Sequence, residues 1–174
     1  MSQLLFVHGA DGYTDDGPLA EALATHLGAR LRMPQLPDDD KSVTAWTGRI
    51  AEALGEIGAD DVVIGHSFGA SMLLHALAQA SGPLPATATL LAMPDWGSGG
   101  WAVDEYTYTG PTLPVALSMH HCADDTVVPV DHLTQNAHRF PTAWLRSYPH
   151  GGHQFDGLAQ TIAADITDDS QRYR

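Results

Sequence analysis

The stretch VVIGHSFGA, residues 62–70, joins a short apolar run to a Gly-x-Ser-x-Gly pattern and then to the start of a helix. A serine hydroxyl becomes an effective nucleophile when the backbone exposes it and a base lies beside it. A tight turn from strand to helix exposes the hydroxyl, and it needs Gly65 and Gly69 because side chains there would collide across the turn. The stretch therefore predicts a buried strand that ends at a nucleophilic Ser67. An ordinary strand-to-helix turn is the other interpretation of this pattern.

Short apolar runs alternate with amphipathic segments along the rest of the chain. Helical spacing predicts helices that begin near Pro18, Ser42, Phe68, Val130 and Phe155. The predicted strands lie at 4–7, 29–33, 62–65, 88–93, 114–120 and 143–148. This alternation predicts an α/β fold with about six mostly parallel strands and helices on both faces of the sheet.

Length and composition limit the class of protein. The 174 residues suffice for one domain, 1–174, with a single core. The net charge of −13 would repel nucleic acid and anionic membrane surfaces. No apolar run approaches the length of a membrane span, and the N-terminus lacks the basic residues of a signal peptide. With Cys122 as the only cysteine, these features predict a cytoplasmic protein without an intrachain disulfide.

Polar residues follow the predicted strands at the end where parallel sheets collect their functional groups. Residues 8–12 follow the first strand, Ser67 the central one, residues 123–125 the fifth and residues 150–153 the last. Serine, acid and histidine appear in the chain order expected of a hydrolase whose nucleophile sits on a strand-to-helix turn.

These segments resemble the α/β-hydrolase superfamily, and in particular its small single-domain cytoplasmic serine hydrolases. The matching segments are residues 8–9, 65–69, 125–129 and 151–155, which together span nearly the whole chain. The chain departs from the usual member in its length, which leaves no room for extra N-terminal strands or a large cap. The resemblance implies a minimal α/β-hydrolase fold. It also implies cleavage of a small-molecule carboxylic ester, or of a thioester or amide, through an acyl-serine intermediate without a cofactor.

Within this resemblance, three side chains take the catalytic roles. His153, with an ordinary histidine pKa of about 6.5, would take the proton of Ser67 near neutral pH. The resembled pattern places the acid four residues before a proline, which selects Asp125 ahead of Pro129. Asp124 remains the alternative acid, and His150 the alternative base.

An acyl-transfer site also needs hydrogen-bond donors for the oxyanion and a surface for the substrate. We expect the backbone N–H groups of Phe68 and Ala10 to supply the donors. Trp96 and Trp101 lie in the aromatic segment after the fourth strand, where they would form an apolar wall for the substrate. Structural packing is the other interpretation of these aromatic side chains.

Two further interpretations come from other classes. A catalytically silent binding protein could use the same fold, because a fold does not imply a function. A metal hydrolase would use the histidine and aspartate side chains near the sheet edge, but no His-Glu-x-x-His pattern is present, and we expect no metal site. The side chains of a ligand type near this edge are His120, His121, Asp124, Asp125, His150 and His153. Gly9 and Gly12 do not form a dinucleotide-binding Gly-x-Gly-x-x-Gly pattern.

Overall fold

The computed structural model describes residues 2–58 and 60–172. The strands are β1 Gln3–Val7, β2 Arg30–Arg32, β3 Val62–His66, β4 Thr87–Leu91, β5 Ala116–Cys122 and β6 Trp144–Tyr148. The helices are α1 Gly17–Leu27, α2 Val43–Leu54, α3 Phe68–Gln79, α4 Asp131–Arg139 and α5 Ala159–Arg172, with a 3₁₀ turn at Asp104–Tyr106.

The six strands form one sheet in the order β2-β1-β3-β4-β5-β6, and every pairing is parallel. The prediction of an α/β fold with a mostly parallel sheet is confirmed. The strand order reverses at β1, because the chain moves out to β2 and then returns to the other side of β1 as β3. Such a reversal opens a crevice at the carboxyl ends of β1 and β3, where ligands bind in sheets of this kind.

Helices cover both faces of the sheet, as predicted. Trp46 of α2 and Phe68 of α3 belong to one buried cluster, and their rings meet edge to face with centroids 4.8 Å apart. Leu23 of α1 and Ile162 of α5 belong to the cluster on the opposite face. Within the described residues, the segment 92–115 between β4 and β5 contains no α-helix, so no helical cap domain is present there. None of the described helices combines the length and the apolar character needed to cross a membrane.

The predicted starts of α1 near Pro18 and of α2 near Ser42 are confirmed. The Ser42 hydroxyl accepts a hydrogen bond from the N–H of Ala45 at 3.3 Å and caps the start of α2. Pro18 lies in the first turn of α1, where its missing N–H costs nothing. Gly28 ends α1 in a left-handed conformation with φ of 62°.

Other boundaries differ from the predictions because backbone conformation interrupts the pattern. The last helix begins at Ala159, not at Phe155, since Phe155 and Gly157 have φ of 54° and 75° and cannot continue a right-handed helix. Strand β4 ends at Leu91, not at residue 93, because Ala92 has φ of 47°. Helix α2 ends at Leu54. Strand β5 lies two residues further along the chain than predicted.

The turn from β3 to α3 is as crowded as the Gly-x-Ser-x-Gly pattern predicts. Ser67 has φ of 53° and ψ of −125°, a conformation that few residues with side chains adopt. A Cβ added to Gly65 would lie 2.7 Å from the Cα of Ala70. A Cβ added to Gly69 would overlap the backbone carbonyl oxygen of His8. Both glycines are therefore required by contact with backbone atoms that cannot move aside.

We predict that Gly69→Ala lowers the free energy of unfolding by about 3 kcal/mol, because the added methyl group pushes α3 away from the end of β1. Gly48→Ala is the matched control, since Gly48 is an exposed position inside α2 where an added Cβ meets nothing within 4 Å. The control gains about 0.5–1 kcal/mol from the higher helix propensity of alanine. Denaturant unfolding of both variants measures the difference, and equal stabilities would contradict the crowded turn.

Candidate active site

An open cavity of about 570 Å³ lies at the carboxyl ends of β1 and β3. It contains the side chain or backbone of most of the residues that the sequence singles out, namely Ala10, Ser67, Phe68, Trp96, Trp101 and His153. Asp125 is the exception, because it lies behind His153 and is only 7% exposed. The remaining lining comes from the loop after β1, from Lys41, His66, Pro94, Tyr106, Val127 and Gln154.

Ser67 directly follows the last residue of β3 and lines this cavity. Its N–H donates to the carbonyl oxygen of Leu91 at 2.8 Å, which continues the parallel pairing of β3 with β4 one residue past the strand. A residue held in so sparsely populated a conformation costs about 1–3 kcal/mol, and the surrounding structure has to impose it. The hydrogen bond to β4 and the tight packing of Gly65 and Gly69 impose it here.

The predicted acid and base are in contact. Oδ2 of Asp125 accepts a hydrogen bond from Nδ1 of His153 at 2.8 Å. Oδ1 of Asp125 accepts the N–H groups of Val127 at 2.8 Å and Val128 at 2.9 Å. Burial opposes ionisation of Asp125, but the hydrogen bonds from His153 and Val128 outweigh it and lower the pKa of the carboxyl. With Nδ1–H committed to a carboxylate, Nε2 of His153 is the nitrogen left to accept a proton.

The alternative acid and base are placed elsewhere. The Asp124 carboxylate accepts the N–H groups of Gly152 at 2.8 Å and Gly151 at 3.3 Å, so it holds the loop that carries His153. The hydrogen bond from Gly152 is the main reason that the pKa of Asp124 is lowered. The side chain of His150 is 88% exposed and lies outside the cavity lining. Asp125 and His153, and not Asp124 and His150, are therefore the pair at the cavity.

Asp16 is a site residue that the sequence did not reveal. It is 1% exposed, and its Oδ2 accepts the N–H of Gly9 at 2.7 Å and lies 2.8 Å from Nδ1 of His66. Its Oδ1 accepts Nε2–H of Gln154 at 2.9 Å. Burial would raise the pKa of Asp16, yet the hydrogen bonds and the charge of His66 lower it to about 2. The available signal was an aspartate just before Gly17, where it would be expected to cap α1, but its side chain makes no capping bond.

The backbone N–H groups of Ala10 and Phe68 lie at the cavity and have no acceptor among the described residues. Phe68 is the first residue of α3, and an N–H at that position has no partner inside the helix. Ala10 lies in the turn that follows His8, whose Nδ1–H donates to the carbonyl of Gly9 at 2.7 Å. Nε2 of His8 in turn accepts the N–H of Leu36 at 3.0 Å, which fixes this turn against the neighbouring loop.

The aromatic segment after β4 forms one wall of the cavity. Trp96 packs edge to face against Trp101 and Tyr106, with ring centroids 5.0 Å and 4.9 Å away. Its Nε1–H donates to the hydroxyl of Ser71 at 2.8 Å, which ties the wall to α3. Trp101 is 42% exposed and presents apolar surface to the cavity opening. Trp96 therefore combines the two roles considered for it, since it packs against the core and lines the cavity.

The histidine and acidic side chains considered as metal ligands do not converge. Among residues 2–58 and 60–172, no three His, Cys, Asp or Glu side chains are arranged to hold a metal ion. His120 is completely buried away from the cavity, where its Nδ1 lies 2.7 Å from the hydroxyl of Tyr148. Burial lowers the pKa of His120 to about 3, so its ring is neutral.

No curated protein and no family model matches this sequence. Solved structures nevertheless share its fold over nearly the whole chain. A protein assigned to the α/β superfamily of hydrolases from Xanthomonas campestris pv. campestris has a TM-score of 0.68 at 19% identity, over 99% of both chains. Alpha/beta hydrolase domain-containing protein 10 from mouse has a TM-score of 0.75 at 13% identity, over 99% of this chain and 90% of its own. Polyneuridine aldehyde esterase has a TM-score of 0.71 at 13% identity, over 98% of this chain and 99% of its own.

The chain therefore has the α/β-hydrolase fold in a minimal form, as its sequence resemblance predicted, and residues 2–58 and 60–172 include no cap domain.

We predict that Asp16 makes the free energy of unfolding depend on pH in the acid range. Its pKa falls from 3.8 to about 2 on folding, so its contribution is complete above pH 4 and is lost as the pH falls through 2. Between pH 5 and pH 2, the free energy of unfolding of the wild type should decrease by about 2 kcal/mol more than that of Asp16→Asn. Denaturant unfolding at several pH values measures this, and parallel pH dependences would contradict it.

Proposed function

We propose that this protein is a serine hydrolase that cleaves a carboxylic ester of a small molecule through an acyl-Ser67 intermediate. The observation that carries the proposal is the 2.8 Å hydrogen bond between Asp125 and His153 at the cavity that Ser67 also lines. A serine on a strained strand-to-helix turn beside an aspartate–histidine pair has the parts that activate a hydroxyl. Thioesters and amides are attacked by the same chemistry and belong to the same substrate class.

In the first half of the reaction, Oγ of Ser67 attacks the carbonyl carbon while Nε2 of His153 takes the hydroxyl proton. The tetrahedral intermediate collapses, the bond to the alkoxide breaks, and the imidazolium returns the proton to the leaving alcohol. Water then attacks the acyl-serine by the same steps, which releases the carboxylic acid and restores the free hydroxyl. Asp125 holds the ring through Nδ1–H and stabilises its positive charge.

The N–H groups of Ala10 and Phe68 would stabilise the oxyanion of each tetrahedral intermediate, which is supported by their lack of any other acceptor among the described residues. Removing one such donor typically lowers the rate by about 10²–10³-fold. Trp96 and Trp101 would bind the apolar part of the substrate against the aromatic wall. No step of this mechanism calls for a cofactor.

The similar folds support hydrolysis in general, since two of the matching structures carry the word hydrolase in their names and a third is named an esterase. The net charge of −13 supports a small-molecule substrate over nucleic acid or a membrane surface. The single cysteine supports a cytoplasmic setting.

The test of this proposal is covalent labelling. A fluorophosphonate should add one adduct per chain, because its phosphorus reacts with an activated serine, and Ser67→Ala should gain none. Intact mass measured at neutral pH reads out both results. An unlabelled wild type would contradict the proposal and favour a catalytically silent binding protein.

A second prediction separates the two aspartates. Asp125→Asn should lower kcat for a nitrophenyl ester by about 10⁴-fold, because the amide stabilises the wrong tautomer of His153. Asp124→Asn is the matched control and should lower kcat less than about 10-fold, since its amide oxygen can still accept the N–H of Gly152. Steady-state kinetics of the two variants compares them, and a larger loss at Asp124 would reverse the assignment.

A further inference from the structure

A second aspartate–histidine pair, Asp16 and His66, lies buried beneath the site and has no part in the proposed chemical steps. Both side chains are about 1% exposed, and Oδ2 of Asp16 lies 2.8 Å from Nδ1 of His66. The other ring nitrogen of His66, Nε2, lies 2.9 Å from the backbone carbonyl oxygen of His153. His66 therefore bridges a carboxylate and the main chain of the proposed base.

The hydrogen-bond partners define the protonation state of His66. A carbonyl oxygen only accepts hydrogen bonds, so Nε2 of His66 must carry a proton. The carboxylate of Asp16 already accepts the N–H of Gly9 and the amide of Gln154, which favours its ionised form. An ionised carboxylate also only accepts, so Nδ1 of His66 must carry a proton as well. The ring is then an imidazolium, and the buried charges of Asp16 and His66 neutralise each other.

The pair joins the three loops on which the proposed reaction depends. Gly9 belongs to the turn after β1 that presents the N–H of Ala10, and we call this turn the oxyanion turn. His66 directly precedes Ser67. Gln154 and the carbonyl of His153 belong to the loop that carries the base. The rings of His66 and His153 also lie against each other, with centroids 4.7 Å apart. One carboxylate thus connects the oxyanion turn, the nucleophile and the base.

We propose that Asp16 is a positioning residue, and that its ion pair with a doubly protonated His66 sets the relative placement of the oxyanion turn, Ser67 and His153. This inference rests on the proposed function of the site. Asp16 acts through His66 and Gly9 and is not itself assigned any contact with substrate. Since a displacement of about 1 Å at a reacting centre can lower a rate by about 10²-fold, the pair affects the chemical step more than substrate binding.

The kinetic test compares Asp16→Asn with Asp169→Asn. Asp169 is also a buried carboxylate, 2% exposed, but it lies on α5 and is bonded to Arg146 at 2.8 Å, outside the cavity lining. With active serines counted by fluorophosphonate titration, Asp16→Asn should lower kcat per titrated site by about 10- to 100-fold and change KM less than about 3-fold. Asp169→Asn should keep the kcat of the wild type per titrated site. Equal values of kcat in the two variants would overturn the proposal, because a merely structural role lowers the number of active sites and not their turnover.

A second measurement examines the charge of His66 in the unaltered protein. ¹⁵N-histidine NMR at neutral pH should show protons on both ring nitrogens of His66, identified by their loss in His66→Gln. A single ring proton on His66 would overturn the ion pair even if Asp16→Asn failed to fold. A wild type that neither labels nor hydrolyses esters would refute the proposed function together with this inference. A wild type that does both, beside an Asp16→Asn variant of unchanged kcat, would refute this inference alone.

Discussion

The close contact between the start of α3 and the end of β1 is the constraint on which the site depends. Gly69 lies against the carbonyl oxygen of His8, so α3 can cross β1 only at a residue without a side chain. This crossing holds Ser67 in its strained conformation and brings the turn after β1 next to it, where a Cβ added to Gly9 would lie 3.2 Å from Cβ of Ser67. Backbone packing thereby brings Ser67, the proposed nucleophile, close to the turn that carries the N–H of Ala10.

Carboxylates then fix the loops around this crossing. Asp16, Asp124 and Asp125 each accept backbone N–H groups from loops at the cavity edge, and Asp16 and Asp125 each also bind a histidine. Asp16 and Asp125 are buried, and a buried carboxylate is tolerated only when hydrogen bonds and an opposite charge replace the water that it loses. The loops supply those partners, so the same bonds that stabilise the charges also order the backbone. Part of the chain's excess negative charge therefore orders the loops at the cavity edge.

Sequence patterns predicted the structure correctly where the interactions that produce that structure are between residues close in the chain. The apolar run and the glycines around Ser67 predicted the elbow, because crowding at that turn restricts nearby residues directly. The predicted start of α5 near Phe155 was wrong, because the apolar spacing continues through Phe155 although the backbone of Phe155 is left-handed. Asp16 was missed because its position before α1 matches a helix cap, and only the folded chain turns its side chain toward His66.

The sequence by itself determined the parallel α/β sheet, the position of Ser67 and the order of serine, acid and histidine along the chain, since periodicity and turn chemistry depend on neighbouring residues. Only the tertiary structure decided that Asp125, and not Asp124, contacts His153. It alone also paired Asp16 with His66 across 50 positions of the chain. Adjacent aspartates have the same chemistry, and the direction in which each side chain points depends on loops that are distant in sequence and meet only when the sheet is assembled.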